Sequence, residues 1–237
     1  ALENITTRRL SVLIGQAGTG KTSIVGALVE CEHLIRQGIL LLAPTGKARV
    51  RLSGATGIEA MTVAQFLYRL GRYDGDRQRP LFEGDNPKAA KYSKSMTVVI
   101  DEASMLTMDY LQAILDGLDQ TKVARIILVG DPSQLPPIGV GRPFVDLVSF
   151  LENTLQSSGK PTPAGAVGRL RIEVRTSAGA PSDALRLASW FTNHPVSDDA
   201  ERVLSEIGER SVFNDLEIEF WKTPEDLRTA LLSQFQK

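Results

Sequence analysis

Gly15-Gln16-Ala17-Gly18-Thr19-Gly20-Lys21-Thr22 fits the pattern G-x-x-x-x-G-K-[ST] at every position. It follows an apolar run of strand length, Leu10–Ile14. It opens a stretch of helical periodicity from Gly20 to about Gln37, in which Ile24, Leu28 and Leu34–Ile35 fall near one face. Strand, glycine-rich turn and helix in that order is the context in which this pattern cradles phosphate. The glycines let the backbone curl so that successive N–H groups aim at one anion. The helix N-terminus adds partial positive charge at the same point. Gly15, Gln16, Ala17, Gly18, Thr19, Gly20, Lys21 and Thr22 therefore form a candidate nucleotide-binding set. Lys21 is placed to reach the β and γ phosphates of ATP, and Thr22 to offer its hydroxyl to Mg²⁺.

Working outward, three more short apolar runs read as buried strands: Ile39–Ala43, Thr97–Ile100 and Arg125–Val129, with a helix over about Thr107–Leu118. Apolar strands alternating with helices predict an α/β fold, a parallel sheet covered on both faces. In such folds ligands bind beyond the carboxyl ends of the strands. The phosphate loop, Thr45, Asp101 and Asp131 all stand just past such an end. Asp101, after the third run, is predicted to hold Mg²⁺, partly through water. Glu102 beside it is placed to polarise an attacking water. Together these elements predict nucleoside triphosphate hydrolysis by in-line attack.

Gly130-Asp131-Pro132-Ser133-Gln134-Leu135-Pro136-Pro137 narrows the class. Gln134 is uncharged and both donates and accepts hydrogen bonds, so it can sense a γ-phosphate without repelling it. Five blocks in order now resemble the motifs of superfamily 1 DNA helicases, most closely the RecD-like branch of AAA-type P-loop ATPases. GQAGTGKT resembles motif I, LLAPTGKARVRL (Leu41–Leu52) motif Ia, and VVIDEASML (Val98–Leu106) motif II. LVGDPSQLPPIG (Leu128–Gly139) resembles motif III, and RLRIEVRTS (Arg169–Ser177) motif IV.

The resemblance implies a RecA-like P-loop NTPase domain and an ATP-dependent helicase or translocase that answers single-stranded DNA, or a duplex with a tail, in repair or recombination. It implies that Gln134 couples the γ-phosphate to the DNA groove. Arg175 would act as an arginine finger, with Arg171 as a rival. Thr45, Gly46, Lys47, Arg51 and Thr62 would meet the strand, and Thr62-Val63-Ala64-Gln65 resembles a helix start that faces it. The polar stretch Gly71–Ser95 sits where relatives carry a small hairpin subdomain, and 5′→3′ translocation is implied too. The family also has a glutamine upstream that contacts adenine, and motifs V and VI downstream. Ala1–Lys237 contains neither, so the resemblance implies a fragment with weak turnover and no unwinding of its own. A nuclease or repair-complex partner is a further implication.

The domain reading follows: a RecA-like motor domain over 1–155 with an inserted hairpin at about 71–95, a linker over 156–168 rich in Ser, Gly, Pro and Ala, and a partial second motor domain over 169–237. A strand at Leu170–Val174 and a helix over about Ser182–Thr192, N-capped by Ser182, are predicted there. With 27 Lys+Arg against 28 Asp+Glu, bulk charge does not drive binding to nucleic acid, so a local basic surface has to. Residues 43–79 supply seven bases against three acids, whereas 198–228 hold ten acids against four bases. The single cysteine, Cys31, excludes an internal disulfide and reads as a small buried hydrophobe. The two histidines are far apart and read as structural. No apolar run reaches membrane-spanning length, and no signal peptide opens the chain. A cytoplasmic monomer is the expectation. Two competing readings stay open: an NTPase that remodels a protein complex without unwinding, and a phosphotransferase using the same loop.

Overall fold

The computed structural model describes residues 5–16, 18–82, 85–86, 88–157, 166–170, 182–191, 198–208, 213 and 215–235. The chain divides into two compact units, Ala1–Arg175 and Thr176–Lys237. In the first, β1 (Leu10–Gly15) leads through the phosphate loop into α1 (Lys21–Val29) and α2 (Glu32–Gln37). Next come β2 (Ile39–Ala43), α3 (Gly46–Thr56), β3 (Met61–Thr62) and α4 (Val63–Arg69). A two-stranded ribbon, β4 (Tyr73–Asp74) and β5 (Arg79–Pro80), precedes β6 (Thr97–Ile100) and a 3₁₀ turn at Ala103–Met105. The unit finishes with α5 (Met108–Gly117), β7 (Arg125–Gly130), α6 (Pro143–Ser157) and β8 (Val167–Leu170).

Six strands form one parallel sheet in the order β3-β2-β6-β7-β1-β8. Alternation along each strand sends successive side chains to opposite faces. Val12, Ile14, Leu40, Leu42, Val98, Ile100, Ile126 and Leu128 pack on one face with Phe66 and Leu67 of α4 and Ile114 of α5. Leu13, Leu41, Val99, Ile127 and Val129 pack on the other with Val25 and Leu28 of α1 and Leu52 of α3. Strands buried on both sides explain why their sequences are continuous apolar runs. Leu41, fully buried in β2, tests this arrangement. Leu41→Ala is expected to destabilise the unit by about 2–5 kcal/mol, read as a lowered urea midpoint with an unchanged slope.

Two local expectations change. The helix read over Gly20–Gln37 is two helices, because Cys31 is extended (φ −70, ψ 107) and caps the second. Cys31 itself is half-buried, with its thiol 3.7 Å from the Ala27 carbonyl. β8 pairs in parallel with β1, Val12 against Val167 through Gly15 against Leu170; of the strand read at Leu170–Val174, all but Leu170 lies outside the described residues. Arg169 and Leu170 belong to the first unit, Ala1–Arg175, through this main-chain pairing.

The second unit holds α7 (Asp183–Ser189), α8 (Asp198–Glu206) and α9 (Pro224–Phe235). Ser182 opens α7 as read, but the carboxylate on that helix start comes from Asp215. Its Oδ1 accepts from the amides of Asp183 at 2.7 Å and Ala184 at 3.1 Å, and its Oδ2 accepts from the Ser182 hydroxyl. These donors, the Ser182 hydroxyl first, hold the Asp215 carboxyl below its ordinary range. Trp190 Nε1 donates to the Ala200 carbonyl at 3.0 Å, tying α7 to α8.

Candidate functional site

The carboxyl ends of β1, β2, β6 and β7 lie along one edge of the first sheet, and the chemistry collects there. At the end of β1 the chain turns back on itself. Gly20, in the left-handed region at φ 81, is the N-cap of α1. Having no side chain, it leaves the first-turn amides of the helix to an outside anion. Gly15 is needed for a different reason: a Cβ there would stand 2.4 Å from Thr19 Oγ1 and 3.0 Å from Leu170 Cβ. Thr19 Oγ1 donates to the Gln16 carbonyl at 2.8 Å, closing the loop. Of the eight predicted loop residues, Ala17 lies outside the described residues.

Lys21 is buried, and its ammonium donates to the carbonyls of Gly15 at 2.7 Å and Gln16 at 2.9 Å. Burial pushes this lysine below its ordinary range, while attraction to Asp131, Glu102 and Asp101 opposes the shift. Asp131, past the end of β7, is itself buried and accepts from the Ser133 amide at 2.9 Å. It was read as a strand-end residue and not as a member of the site. The signal was its position, since three carboxylates on neighbouring strand ends converge on one lysine.

Asp101 and Glu102 follow β6. The Asp101 side chain is 1% exposed, and burial pushes its carboxyl above the usual carboxylate range. Its Oδ2 stands 3.5 Å from Thr22 Oγ1, and its Oδ1 accepts from the Glu102 amide at 2.9 Å. A hydroxyl beside a buried carboxylate is the donor set a hard divalent cation takes when water and phosphate oxygens complete the shell. Thr22 and Asp101 thus fit Mg²⁺. Among the described residues there is no group of three or more His, Cys, Asp or Glu that could hold a metal ion. Glu102 sits in the left-handed region (φ 52, ψ 37), unusual for a residue with a Cβ.

Gln134 is exposed on the loop after β7. It accepts a long hydrogen bond, 3.4 Å, from Ser104 Oγ, so only Ala103 separates Glu102 from the residue that touches Gln134. Gln134 also lines a cavity of about 680 Å³. Its walls are Pro44 and Thr45 after β2, Val63 and Ala64 of α4, Tyr73, Tyr110, and the loop through Leu135 and Ile138. Leu135 and Ile138 are almost fully exposed. This apolar groove was absent from the sequence reading.

The residues read as strand contacts divide. Thr45 lines the groove, but its hydroxyl also caps α3 by accepting from the Ala48 amide at 3.2 Å. Gly46 and Lys47 are exposed at the start of that helix. Thr62 caps α4 in a reciprocal box with Gln65: Gln65 N donates to Thr62 Oγ1 at 3.1 Å, and Thr62 N donates to Gln65 Oε1 at 2.9 Å. Thr62-Val63-Ala64-Gln65 carries that box as T-x-x-Q. Arg51 is turned elsewhere. Its guanidinium pairs with Glu102 Oε1 and lies 3.8 Å from Asp101 Oδ2. α3 rises from β2, the neighbour of β6, which brings Arg51 within reach of the next strand end. Arg175 and Arg171 lie outside the described residues. Among the described residues no helix is long and apolar enough to cross a membrane.

Comparison with known proteins agrees with this geometry. Residues 1–156 match the model of an AAA domain family. The chain is 35% identical over 150 residues to the ATP-dependent RecD2 DNA helicase of Deinococcus radiodurans, covering 62% of this chain and 19% of that protein. It is 32% identical over 166 residues to the RecBCD enzyme subunit RecD of Mycolicibacterium smegmatis, covering 60% of this chain and 28% of the subunit. The chain thus spans less than a third of the length of either relative. Among solved structures, two coordinating Pif1 helicases at forked double-stranded DNA align with a TM-score of 0.55 at 22% identity, over 86% of this chain and 49% of that one. Bacteroides Pif1 bound to single-stranded DNA aligns with a TM-score of 0.53 at 20% identity, over 98% and 54%. These structures share the parallel P-loop fold predicted from the sequence.

Proposed function

The chain belongs to an AAA domain family, and from that premise we propose that it is the ATP-hydrolysing motor portion of a DNA helicase or translocase of the RecD-like branch. One observation carries this reading. The residues that would hold and cleave a triphosphate share a single sheet edge with a groove, and Ser104–Gln134 links the two.

The residues divide the work. The amides of the loop and of the α1 start bind the phosphate tail, and Lys21 neutralises its terminal charge. Thr22 and Asp101 would hold Mg²⁺, which supplies charge neutralisation at the phosphates when bound. Glu102 accepts a hydrogen bond from the attacking water and orients it in line. Gln134 reports phosphate occupancy to the groove. At the groove, Thr45, Gly46, Lys47 and Thr62 would meet the strand: exposed helix-start amides and one cation suit phosphates, whereas the apolar wall suits bases. Arg175, with Arg171 as its rival, would complete the phosphate charge, and Thr176–Lys237 would open a second motor domain. A nuclease or repair-complex partner, a monomeric state and a cytoplasmic location belong to the same proposal.

The test is ATP turnover by the full protein with and without single-stranded DNA. Strong stimulation is expected, together with a steep fall of log affinity against log salt. Unstimulated turnover would favour remodelling of a protein complex, and phosphate transfer to a small acceptor would favour a phosphotransferase.

A further inference from the structure

We infer that Arg51 is a positioning residue that restrains Glu102, and that a nucleic-acid phosphate releases the restraint by drawing the guanidinium away. The inference rests on the reading of the chain as a DNA-stimulated ATPase. It assigns a residue to the step by which the strand is felt at the reacting centre.

The two oxygens of the Glu102 carboxylate differ in their surroundings. Oε1 is engaged by Arg51 Nη2. Oε2 is buried without a hydrogen-bond partner. The Glu102 side chain is 13% exposed and its backbone is in the left-handed region, so it has little freedom to turn while the pair persists. Oε2 is closed off by burial, so Oε1 is the oxygen left to orient a water, and Arg51 occupies it. Release of Oε1 is therefore a requirement for its role.

Arg51 has the opposite surroundings. Its side chain is 48% exposed, so solvent weakens the pair and a competing anion can reach it. Nη2 makes both carboxylate contacts, so the pair uses one nitrogen of the planar fork. That fork matches phosphate as well as it matches carboxylate. Lys47 stands four residues earlier on α3, on the same helical face and at the exposed start of the helix. A phosphate drawn to Lys47 and the α3 amides arrives on the face that carries Arg51. One guanidinium thus has two anionic partners, one at the chemistry and one in the strand.

The experiment measures steady-state ATP turnover of the full protein and of Arg51→Ala, with and without single-stranded oligo-dT, with a melting curve for each. Arg51→Ala is expected to raise the DNA-free kcat by about 2- to 5-fold, the scale of a half-exposed ion pair. It should shrink the stimulation ratio by a similar factor and leave the KM for ATP unchanged. Arg51→Lys, which keeps charge but not the fork, should lie between. A DNA-free rate that stays the same or falls overturns the inference, as does an undiminished stimulation ratio. If Arg51→Ala fails to melt cooperatively, Arg51→Gln carries the same readouts. If oligo-dT fails to stimulate the unaltered protein, the DNA reading falls. In that case a raised basal rate in Arg51→Ala keeps the restraint on Glu102, and its absence removes it.

Discussion

Lys21→Ala is expected to abolish ATP turnover by the full protein, a loss of about 10³-fold or more, equivalent to roughly 4 kcal/mol of transition-state stabilisation. The melting temperature should move by only a few degrees. The two halves of this expectation have separate causes. Lys21 is the cation on which Asp131, Glu102 and Asp101 all act. Without it, a triphosphate would meet Asp131, Glu102 and Asp101 with one cation fewer to offset them, and both binding and the build-up of charge on the γ-phosphate would be opposed. Stability responds less, because the same burial that holds the ammonium below its ordinary range is a cost to the fold. Deleting the ammonium removes that cost along with the two carbonyl contacts. Turnover is read by phosphate release, and an unchanged rate would exclude this loop as the site.

Glu102→Gln should give the complementary pattern: nucleotide binding within a few-fold of the unaltered protein and hydrolysis slowed by about 10²- to 10⁴-fold. The substitution keeps the shape of the side chain and its backbone setting but removes the charge that polarises water. The phosphate loop, Thr22 and Asp101 are untouched, so affinity, measured by titration with a fluorescent ATP analogue, should persist. Loss of binding instead would mean that Glu102 holds the nucleotide or its cation and that its assigned role is wrong.

The sequence carried the centre of the sheet well and its margins poorly. β1, β2, β6 and β7 are buried on both faces, so each had to be an apolar run, and each was readable as one. β3 is two residues long, below the length at which alternation is visible. β8 was not legible, because Val167 and Gly168 fall at the edge of the stretch read as a linker and nothing local says which sheet a strand joins. That depended on pairing with β1, more than 150 residues earlier. The gathering of the candidate site was legible because spacing within one motif fixes Lys21 and Thr22, and the end of an apolar run fixes Asp101 and Glu102. Arg51 was not. Its motif placed it with the strand contacts, whereas the adjacency of β2 and β6 sets its guanidinium against Glu102. The apolar groove was equally hidden, because Thr45, Tyr73, Tyr110 and Ile138 are brought together only by the fold.

The pairing of β8 with β1 also bears on where this polypeptide can be cut. The match to the AAA domain family ends at residue 156, an inviting place to trim an expression clone. Trimming there would strip β1 of its outer neighbour and leave an apolar strand, the one that leads into the phosphate loop, open along a whole row of amides and carbonyls. Such an edge recruits other chains and promotes aggregation. Leu170, which packs against Gly15, would go as well. A soluble single-domain version should therefore retain the chain through at least Leu170, and insolubility of shorter versions would reflect a lost border strand and not a failure of the nucleotide site.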